Sequence, residues 1–274
     1  MNITFLGGGN MATAIIGGLV SGGADAREFR VIEPLRAQQD KLVGLFPGIG
    51  IFGEASAGAV DGADIVVLAI KPQQMHEAAK AISPHVIDVP VVMSIAAGVR
   101  LADISRWMGG HQRLVRAMPN TPALIREGIS GAFALPDAAA RGRKFAQRVL
   151  DGVGSVLWVV REELLDAVTG VSGSGPAYVF YFLEGLEQAA QELGFTKAEA
   201  RTLAYATFNG TIKLATGSEL EPGILRAQVT SKGGTTERAI AILEADAVKT
   251  RFVAAVKAAA VRAKELGDAL GAEG

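Results

Sequence analysis

The chain has 274 residues, and its 27 Lys and Arg side chains nearly balance its 28 Asp and Glu side chains, for a formal net charge of −1. This balance argues against a dedicated binder of nucleic acid or of anionic membranes, which would carry a basic excess. The chain has no cysteine, which excludes disulfides, thiolate metal sites and a cysteine nucleophile. The three histidines, His76, His85 and His111, are too scattered to predict a metal site.

Glycine is unusually frequent, at 34 of 274 residues. This is about 12%, against an average of about 7%. Because there is no low-complexity repeat, the excess indicates several places where the backbone must approach something closely. The first six residues lead directly into a glycine turn, without the basic and apolar regions of a signal peptide. The longest strongly apolar runs, such as residues 65–70, are far shorter than the ~20 residues of a membrane span. We therefore expect a soluble, cytoplasmic protein.

In the first half of the chain, short runs rich in Val and Ile alternate with segments of helical periodicity. Strands are predicted at residues 2–6, 30–33, 64–70, 89–94, 113–118 and 155–160. Helices are predicted between them, for example at residues 12–21, 35–46, 73–82 and 101–107. This alternation predicts an α/β domain whose Rossmann-like, mostly parallel sheet is covered by helices on both faces.

After about residue 161 the strand-like runs stop, and long segments rich in Ala, Leu, Glu and Lys follow. Helices are predicted at residues 178–193, 197–216, 235–244 and 247–270, with Gly, Thr or Pro at their ends. We therefore predict two domains, an α/β domain at residues 1–161 and an all-helical domain at residues 162–274.

The first of these long helices is apolar around much of its circumference. Its large apolar residues are Val179, Phe180, Tyr181, Phe182, Leu183 and Leu186. Such a helix must be buried on more than one side, and a helical domain of this size offers few ways to do so alone. The pattern predicts a homodimer formed through the C-terminal half.

The glycine turn after the first strand matches the dinucleotide-binding pattern G-x-G-x-x-A. It consists of Gly7, Gly8, Gly9, Asn10, Met11 and Ala12. In this pattern the first glycine allows a tight turn, the second lets a pyrophosphate touch the backbone, and the alanine allows close packing of helix on strand. The helix that follows offers free N–H groups to the anion. The turn therefore predicts a nicotinamide dinucleotide as cofactor.

Two residues after the second strand give conflicting indications about that cofactor. Glu33 ends the strand, and a carboxylate there favours a ribose 2′-hydroxyl and so NAD. Arg36 lies three residues further on and could bind a 2′-phosphate, which favours NADP. The choice between NAD and NADP stays open at this point.

Three further segments follow predicted strands, and the carboxyl ends of parallel strands are where such folds bind ligands. The first is Ala69, Ile70, Lys71 and Pro72, in which Lys71 is the first charged residue after six apolar ones. The others contain Ala96, Ala97 and Gly98, and Asn120, Thr121 and Pro122. We predict that these residues line the cofactor cleft, although ordinary turn chemistry also explains small residues and prolines there.

Two motifs of the helical half begin helices with small residues. Residues 171–178, Val-Ser-Gly-Ser-Gly-Pro-Ala-Tyr, form a helix start that another backbone or a nicotinamide ring could approach. Residues 229–236, Val-Thr-Ser-Lys-Gly-Gly-Thr-Thr, place two glycines and two threonines at the next such start. There the N–H groups of Gly234, Thr235 and Thr236 could hold a carboxylate. An ordinary threonine N-cap is the competing interpretation.

These motifs together resemble the pyrroline-5-carboxylate reductase family over essentially the full chain. The matching segments are residues 5–12, 69–72, 116–122, 172–178 and 222–244. The resemblance implies NAD(P)H-dependent reduction of 1-pyrroline-5-carboxylate to L-proline, by hydride transfer to the C=N carbon. It also implies interlocked homodimers, which in some members assemble into homodecamers. Many NADPH-using relatives have a small or basic residue near Glu33, so the resemblance leaves the cofactor preference open.

The same resemblance implies roles for individual residues. The substrate site comprises Glu219, Val229, Ser231, Gly234, Thr235 and Thr236. Within it, Thr236 hydrogen-bonds the ring nitrogen and is the residue assigned to catalysis, by positioning the ring. Ser56 falls where a polar residue reaches the adenosine end of the cofactor.

Parts of the sequence also fit three alternative functions. A β-hydroxyacid dehydrogenase has a similar helix entry, but its catalytic lysine position is occupied here by Val179. A reductase of another cyclic imine stays open, because pocket size is not visible in a sequence. A nicotinamide-binding regulatory protein without catalysis also stays open, although Lys71 and the two threonines at residues 235 and 236 argue against it.

Overall fold

The computed structural model describes residues 1–272. These residues form two compact units. The first comprises residues 1–174 together with the C-terminal segment that begins at Ala258, and the second comprises Gly175–Lys257. The predicted boundary between residues 161 and 162 stays a prediction.

The first unit contains one eight-stranded sheet. Its strands are β1 (Ile3–Leu6), β2 (Phe29–Ile32), β3 (Gly50–Phe52), β4 (Ile65–Leu68), β5 (Val92–Ser94), β6 (Leu114–Met118), β7 (Gly128–Ala134) and β8 (Gly154–Trp158). They lie in the order β3-β2-β1-β4-β5-β6-β7-β8, and β7 runs antiparallel to β6 while the other neighbouring pairs are parallel. The predicted, mostly parallel sheet is confirmed.

Helices cover both faces of this sheet. They are α1 (Asn10–Ser21), α2 (Arg36–Leu45), α3 (Ala57–Val60), α4 (Met75–Ile82), α5 (Leu101–Trp107), α6 (Arg141–Asp151) and α7 (Leu164–Val168). Alternate residues of a strand face opposite sides of a sheet. Thus Ile65 and Val67 of β4 belong to one apolar cluster, and Val66 and Leu68 belong to the other. A sheet buried on both faces explains why β4 is apolar at every position.

The second unit is entirely helical, as predicted. Its helices are α8 (Gly175–Glu192), α9 (Lys197–Thr216), α10 (Pro222–Gln228), α11 (Thr235–Ala245) and the first part of α12 (Val248–Ala272). Phe182 of α8 packs edge-on against Phe252 of α12, with ring centroids 5.6 Å apart. Other large side chains of α8 are exposed, including Phe180 and Tyr181.

The described residues contain neither a membrane-spanning helix nor a cluster of metal ligands. No helix within residues 1–272 combines the length and the apolarity that a membrane crossing requires. Within the same residues, no group of three or more His, Asp and Glu side chains is arranged to hold a metal ion.

Candidate active site

The loop between β1 and α1 forms an open cradle at the carboxyl edge of the sheet. Gly7 has a φ of +96°, and a Cβ there would lie 2.7 Å from the carbonyl oxygen of Ala69. Gly9 is the N-cap of α1 and is exposed, and a Cβ there would meet no atom within 4 Å. No side chain caps the helix, so its first N–H groups are open to an anion. The cradle lies beside β1 and β4, where the strand order reverses, which is the position at which sheets of this kind bind dinucleotides.

The rest of the glycine motif forms the start of α1. Asn10 is the first helical residue and is exposed, and Met11 is partly buried against the core. Ala12 is 1% exposed, as expected for a small residue that lets the helix pack closely on the sheet. Gly7, Gly9 and Ala12 therefore have the environments that the pattern requires, and contacts of the motif with a cofactor stay predictions.

The Glu33 side chain is hydrogen-bonded to the glycine loop. Its Oε2 accepts a hydrogen bond from the Gly8 N–H at 3.0 Å, and its Oε1 accepts one from the Leu35 N–H at 2.9 Å. The side-chain amide of Gln38 donates to the Gly8 carbonyl. Glu33 is only 7% exposed, so its carboxylate is already occupied in shaping the loop. Its proposed contact with a ribose stays a prediction. The importance of Gln38 had no signal in the sequence.

Arg36 and Ser56 lie beyond the carboxyl ends of β2 and β3. Arg36 begins α2, and its side chain is 83% exposed with Nε 3.1 Å from Oδ1 of Asp40. Ser56 is the N-cap of α3, but its side chain makes no capping hydrogen bond. Both side chains are therefore placed where a ligand on this edge could reach them, and their roles stay predictions.

Residues 69–72 follow β4 directly beside the glycine loop. The Ala69 N–H donates to the carbonyl of Leu6 at 2.8 Å, which continues the pairing of β1 and β4 beyond the strands. Ile70 is half-buried, with its Cγ2 2.7 Å from the position of a Cβ at Gly7. Lys71 is exposed, and Pro72 begins a short 3-10 turn after it. The structure thus brings two of the predicted cofactor segments into contact.

Residues 96–98 follow β5, the next strand along this edge. Ala96 is buried, and its N–H donates to the hydroxyl oxygen of Ser94 at 3.3 Å. Ala97 is exposed, whereas Gly98 is buried with a φ of +81°. Ala97 is therefore the member of this segment that is open to a ligand.

The predicted segment after β6 is anchored by its asparagine. Asn120 is 8% exposed, its Oδ1 accepts from the Ile129 N–H at 3.0 Å, and its Nδ2 donates to the Ser172 carbonyl at 3.3 Å. Thr121 is exposed, and Pro122 lies in a 3-10 turn. Asn120 therefore has a structural reason to be present, and a cofactor contact by this segment stays a prediction.

The second unit contains the predicted substrate loop at the start of α11. Gly233 has a φ of +74° and its N–H donates to Oε2 of Glu237 at 2.7 Å, and the Gly234 N–H donates to the Ser231 carbonyl at 3.0 Å. The Gly234 N–H is thus used within the turn. The donors left at the helix start are those of Thr235, which is exposed, and Thr236, which is half-buried.

Two other predicted substrate residues lie nearby in the chain. Glu219 is exposed in the segment between α9 and α10, and Val229 is 64% exposed just after α10. Their roles toward a substrate stay predictions.

The chain is similar to known proteins over almost its whole length. A family model described as pyrroline-5-carboxylate reductase dimerisation matches residues 162–266, and one described as NADP oxidoreductase, coenzyme F420-dependent, matches residues 2–98. Pyrroline-5-carboxylate reductase of Pseudomonas aeruginosa is 41% identical over 269 residues, which cover 98% of this chain and 98% of that one. The chain belongs to the pyrroline-5-carboxylate reductase family.

Solved structures of pyrroline-5-carboxylate reductases share the fold. The enzyme from Coxiella burnetii is 38% identical and superposes with a TM-score of 0.90, covering 97% of this chain and 98% of that one. A pyrroline carboxylate reductase from Plasmodium falciparum, solved with NADP bound, has a TM-score of 0.85 over the same shares of the two chains. At 24% identity this second likeness shows the fold alone. The predicted family and fold class, a Rossmann-like domain followed by a helical dimerisation domain, are confirmed.

Proposed function

We propose that this protein is an NAD(P)H-dependent reductase that converts 1-pyrroline-5-carboxylate to L-proline. The proposal is carried by the β1–α1 cradle, where Gly9 leaves open space over an uncapped helix start. Membership in the reductase family, at 41% identity over almost the whole chain, supplies the substrate class. The cofactor is NADP or NAD.

The chemistry requires positioning rather than strong acids or nucleophiles. The bound nicotinamide supplies the hydride that reduces the C=N carbon of the substrate. A protonated imine is already electrophilic, so the protein has to hold the two reactants in the correct orientation. The N–H groups of Thr235 and Thr236, at the positive end of α11, bind the substrate carboxylate. The Thr236 hydroxyl, too weak an acid to donate a proton conventionally, orients the ring nitrogen.

The direct test follows the oxidation of NADPH and of NADH, with and without 1-pyrroline-5-carboxylate. We expect turnover that depends on this substrate and yields proline. Binding of the cofactor without turnover would instead support a regulatory nicotinamide-binding protein. Faster turnover of a larger cyclic imine would assign the enzyme to that substrate. Failure to bind either cofactor would overturn the proposal.

Replacing Thr236 tests the assigned positioning role. Thr236→Ala removes one oriented hydrogen bond and should lower kcat/KM for the imine by about 10- to 100-fold. The affinity for the cofactor, measured by titration, should stay unchanged. Thr236→Ser keeps the hydroxyl and should retain most of the activity. An alanine variant with wild-type kcat/KM would remove Thr236 from the site.

The structure favours NADPH over NADH as part of this proposal. One carboxylate oxygen of Glu33 accepts from the Gly8 N–H and the other from the Leu35 N–H, whereas the Arg36 guanidinium is exposed at the start of α2. Its ion pair with Asp40 lies on the surface, and such pairs contribute little to the free energy of unfolding. Arg36 is therefore the group that can bind a 2′-phosphate in a bidentate manner.

Two substitutions separate the roles of Glu33 and Arg36. Arg36→Ala should weaken binding of 2′,5′-ADP by about tenfold and leave binding of 5′-AMP unchanged, since only the first ligand carries the 2′-phosphate. Glu33→Gln places an amide group against a backbone N–H, and it should weaken binding of 2′,5′-ADP and of 5′-AMP by the same factor. Selective loss of NADH binding in Glu33→Gln would restore the ribose role of Glu33.

We further propose that the helical half forms a homodimer. Exposed apolar side chains on α8 and α9, among them Phe180, Tyr181, Ile212 and Leu214, support an apolar contact between two copies. The matched dimerisation model spans these helices. Assembly of such dimers into a homodecamer and a location in the cytoplasm remain predictions.

A further inference from the structure

The C-terminal part of α12 belongs to the first unit and packs directly on the segment after β5. A Cβ at Gly267 would lie 2.5 Å from the carbonyl oxygen of Gly98 and 3.4 Å from Nε of Arg100. On the other side of the contact, a Cβ at Gly98 would lie 3.5 Å from Cδ1 of Leu270. Leu270 itself packs against the apolar cluster on that face of the sheet. The two backbones are therefore in contact, and at Gly267 there is no room for a methyl group.

Ion pairs lie beside the contact between α12 and the segment after β5. The Nη2 of Arg100 lies 2.9 Å from Oδ2 of Asp166 and 3.5 Å from Oδ1 of Asp268, which is on α12. Burial acts to lower the pKa of Arg100, but the hydrogen bond to Asp166 and the charges of Asp166, Glu162 and Asp268 outweigh it and raise that pKa. The cation therefore stays charged and joins α12 to the start of α5.

A second bond lies at the very end of the helix. Nη2 of Arg106 in α5 donates to the carbonyl of Gly271 at 2.8 Å. Helices normally leave their last carbonyls without a partner, and a cation there also interacts favourably with the helix dipole. The last turns of α12 are thus held at Gly267, Asp268 and Gly271.

We propose that the last turns of α12 position the segment of residues 96–98 for the nicotinamide cofactor, with Gly267, Arg100 and Asp268 as positioning residues. This inference rests on the proposed function. Residues 96–98 leave the carboxyl end of β5 beside β4, on the edge that carries the glycine loop. Because Gly98 is buried under α12 while Ala97 is exposed, a shift of the helix moves the residue that is open to the cofactor.

Gly267→Ala tests this inference. The added methyl group must push the Gly98 carbonyl away, so fewer molecules hold residues 96–98 in the binding arrangement. The Kd for NADPH, measured by fluorescence titration, should rise by about tenfold, as expected when only about a tenth of the molecules are competent to bind. The KM for NADPH should rise in parallel, while kcat changes by less than about twofold.

The matched control is Gly44→Ala in α2, where a Cβ would meet no atom within 4 Å. It should leave the Kd unchanged and the melting temperature equal or slightly higher. Asp268→Asn provides a second variant if Gly267→Ala does not fold, and it should also raise the Kd for NADPH. A wild-type Kd for NADPH in both Gly267→Ala and Asp268→Asn would overturn this inference and leave the proposed function unaffected. Absence of cofactor binding by the wild-type protein would overturn the proposed function and this inference together.

Discussion

Arg116→Met is expected to lower the free energy of unfolding by about 3–5 kcal/mol. Arg116 lies in β6 and is 1% exposed, with Nη1 2.9 Å from Oε1 of Glu162 and Nη2 3.7 Å from Oδ1 of Asp166. That Asp166 oxygen is buried and has no hydrogen-bond partner among the described residues. Removing the guanidinium would take away the cation paired with the largely buried Glu162 and leave the buried Asp166 paired with Arg100 alone.

The measurement is urea unfolding at one protein concentration and one pH, followed by a probe of the sheet. Arg36→Met is the control, because Arg36 is exposed and its pair with Asp40 should contribute only about 0.3–0.5 kcal/mol. A loss below about 1 kcal/mol in Arg116→Met would show that the buried ion pairs contribute little to stability, as a surface pair does.

For Gly7→Ala we expect NADPH binding to weaken by about thirtyfold or more. An alanine at φ of +96° costs about 1–3 kcal/mol, and forcing its Cβ against the Ala69 carbonyl costs about as much again. The loop must therefore move away from residues 69–70, and the phosphate cradle is lost. The Kd from fluorescence titration measures the effect, and the melting temperature of the unliganded protein should fall as well.

Gly9→Ala separates the cradle from the fold. Its φ is −67° and the surrounding space is open, so the unliganded protein should keep its melting temperature. The new methyl group would occupy the space assigned to the pyrophosphate, so NADPH binding should still weaken. If Gly7→Ala bound NADPH like the wild type, the phosphate site would have to lie elsewhere.

The strands that could be predicted from the sequence are those with long, continuous apolar runs. Residues 64–70 predicted β4, which spans Ile65–Leu68, because burial on both faces selects Val and Ile at every position. The sequence did not reveal β3 or β7. β3 has three residues, all half-buried, and β7 is interrupted by small residues that break the apolar pattern. The antiparallel direction of β7 is a property of its pairing with β6 and has no local signal.

The long helices of the second unit could be predicted because local residues mark their ends. The start of α9 has a capping box between Thr196 and Glu199, and the observed helix Lys197–Thr216 has the predicted bounds. The short helices α7 and α10, with five and seven residues, were missed because so few turns show little periodicity. The polar helix α6 was missed as well.

The sequence by itself determined the family and the cofactor class, because these depend on motifs whose residues lie within a few positions of one another. It also predicts the segments of the site. The glycine loop, the segment after β4 and the start of α11 are local backbone arrangements of this kind. Only the tertiary structure decided what Glu33 and Gly98 contact. Glu33 is turned toward Gly8 and Gly98 lies under Gly267, and both contacts join distant parts of the chain. Such contacts depend on how the elements pack, and no local pattern of residue types records that packing.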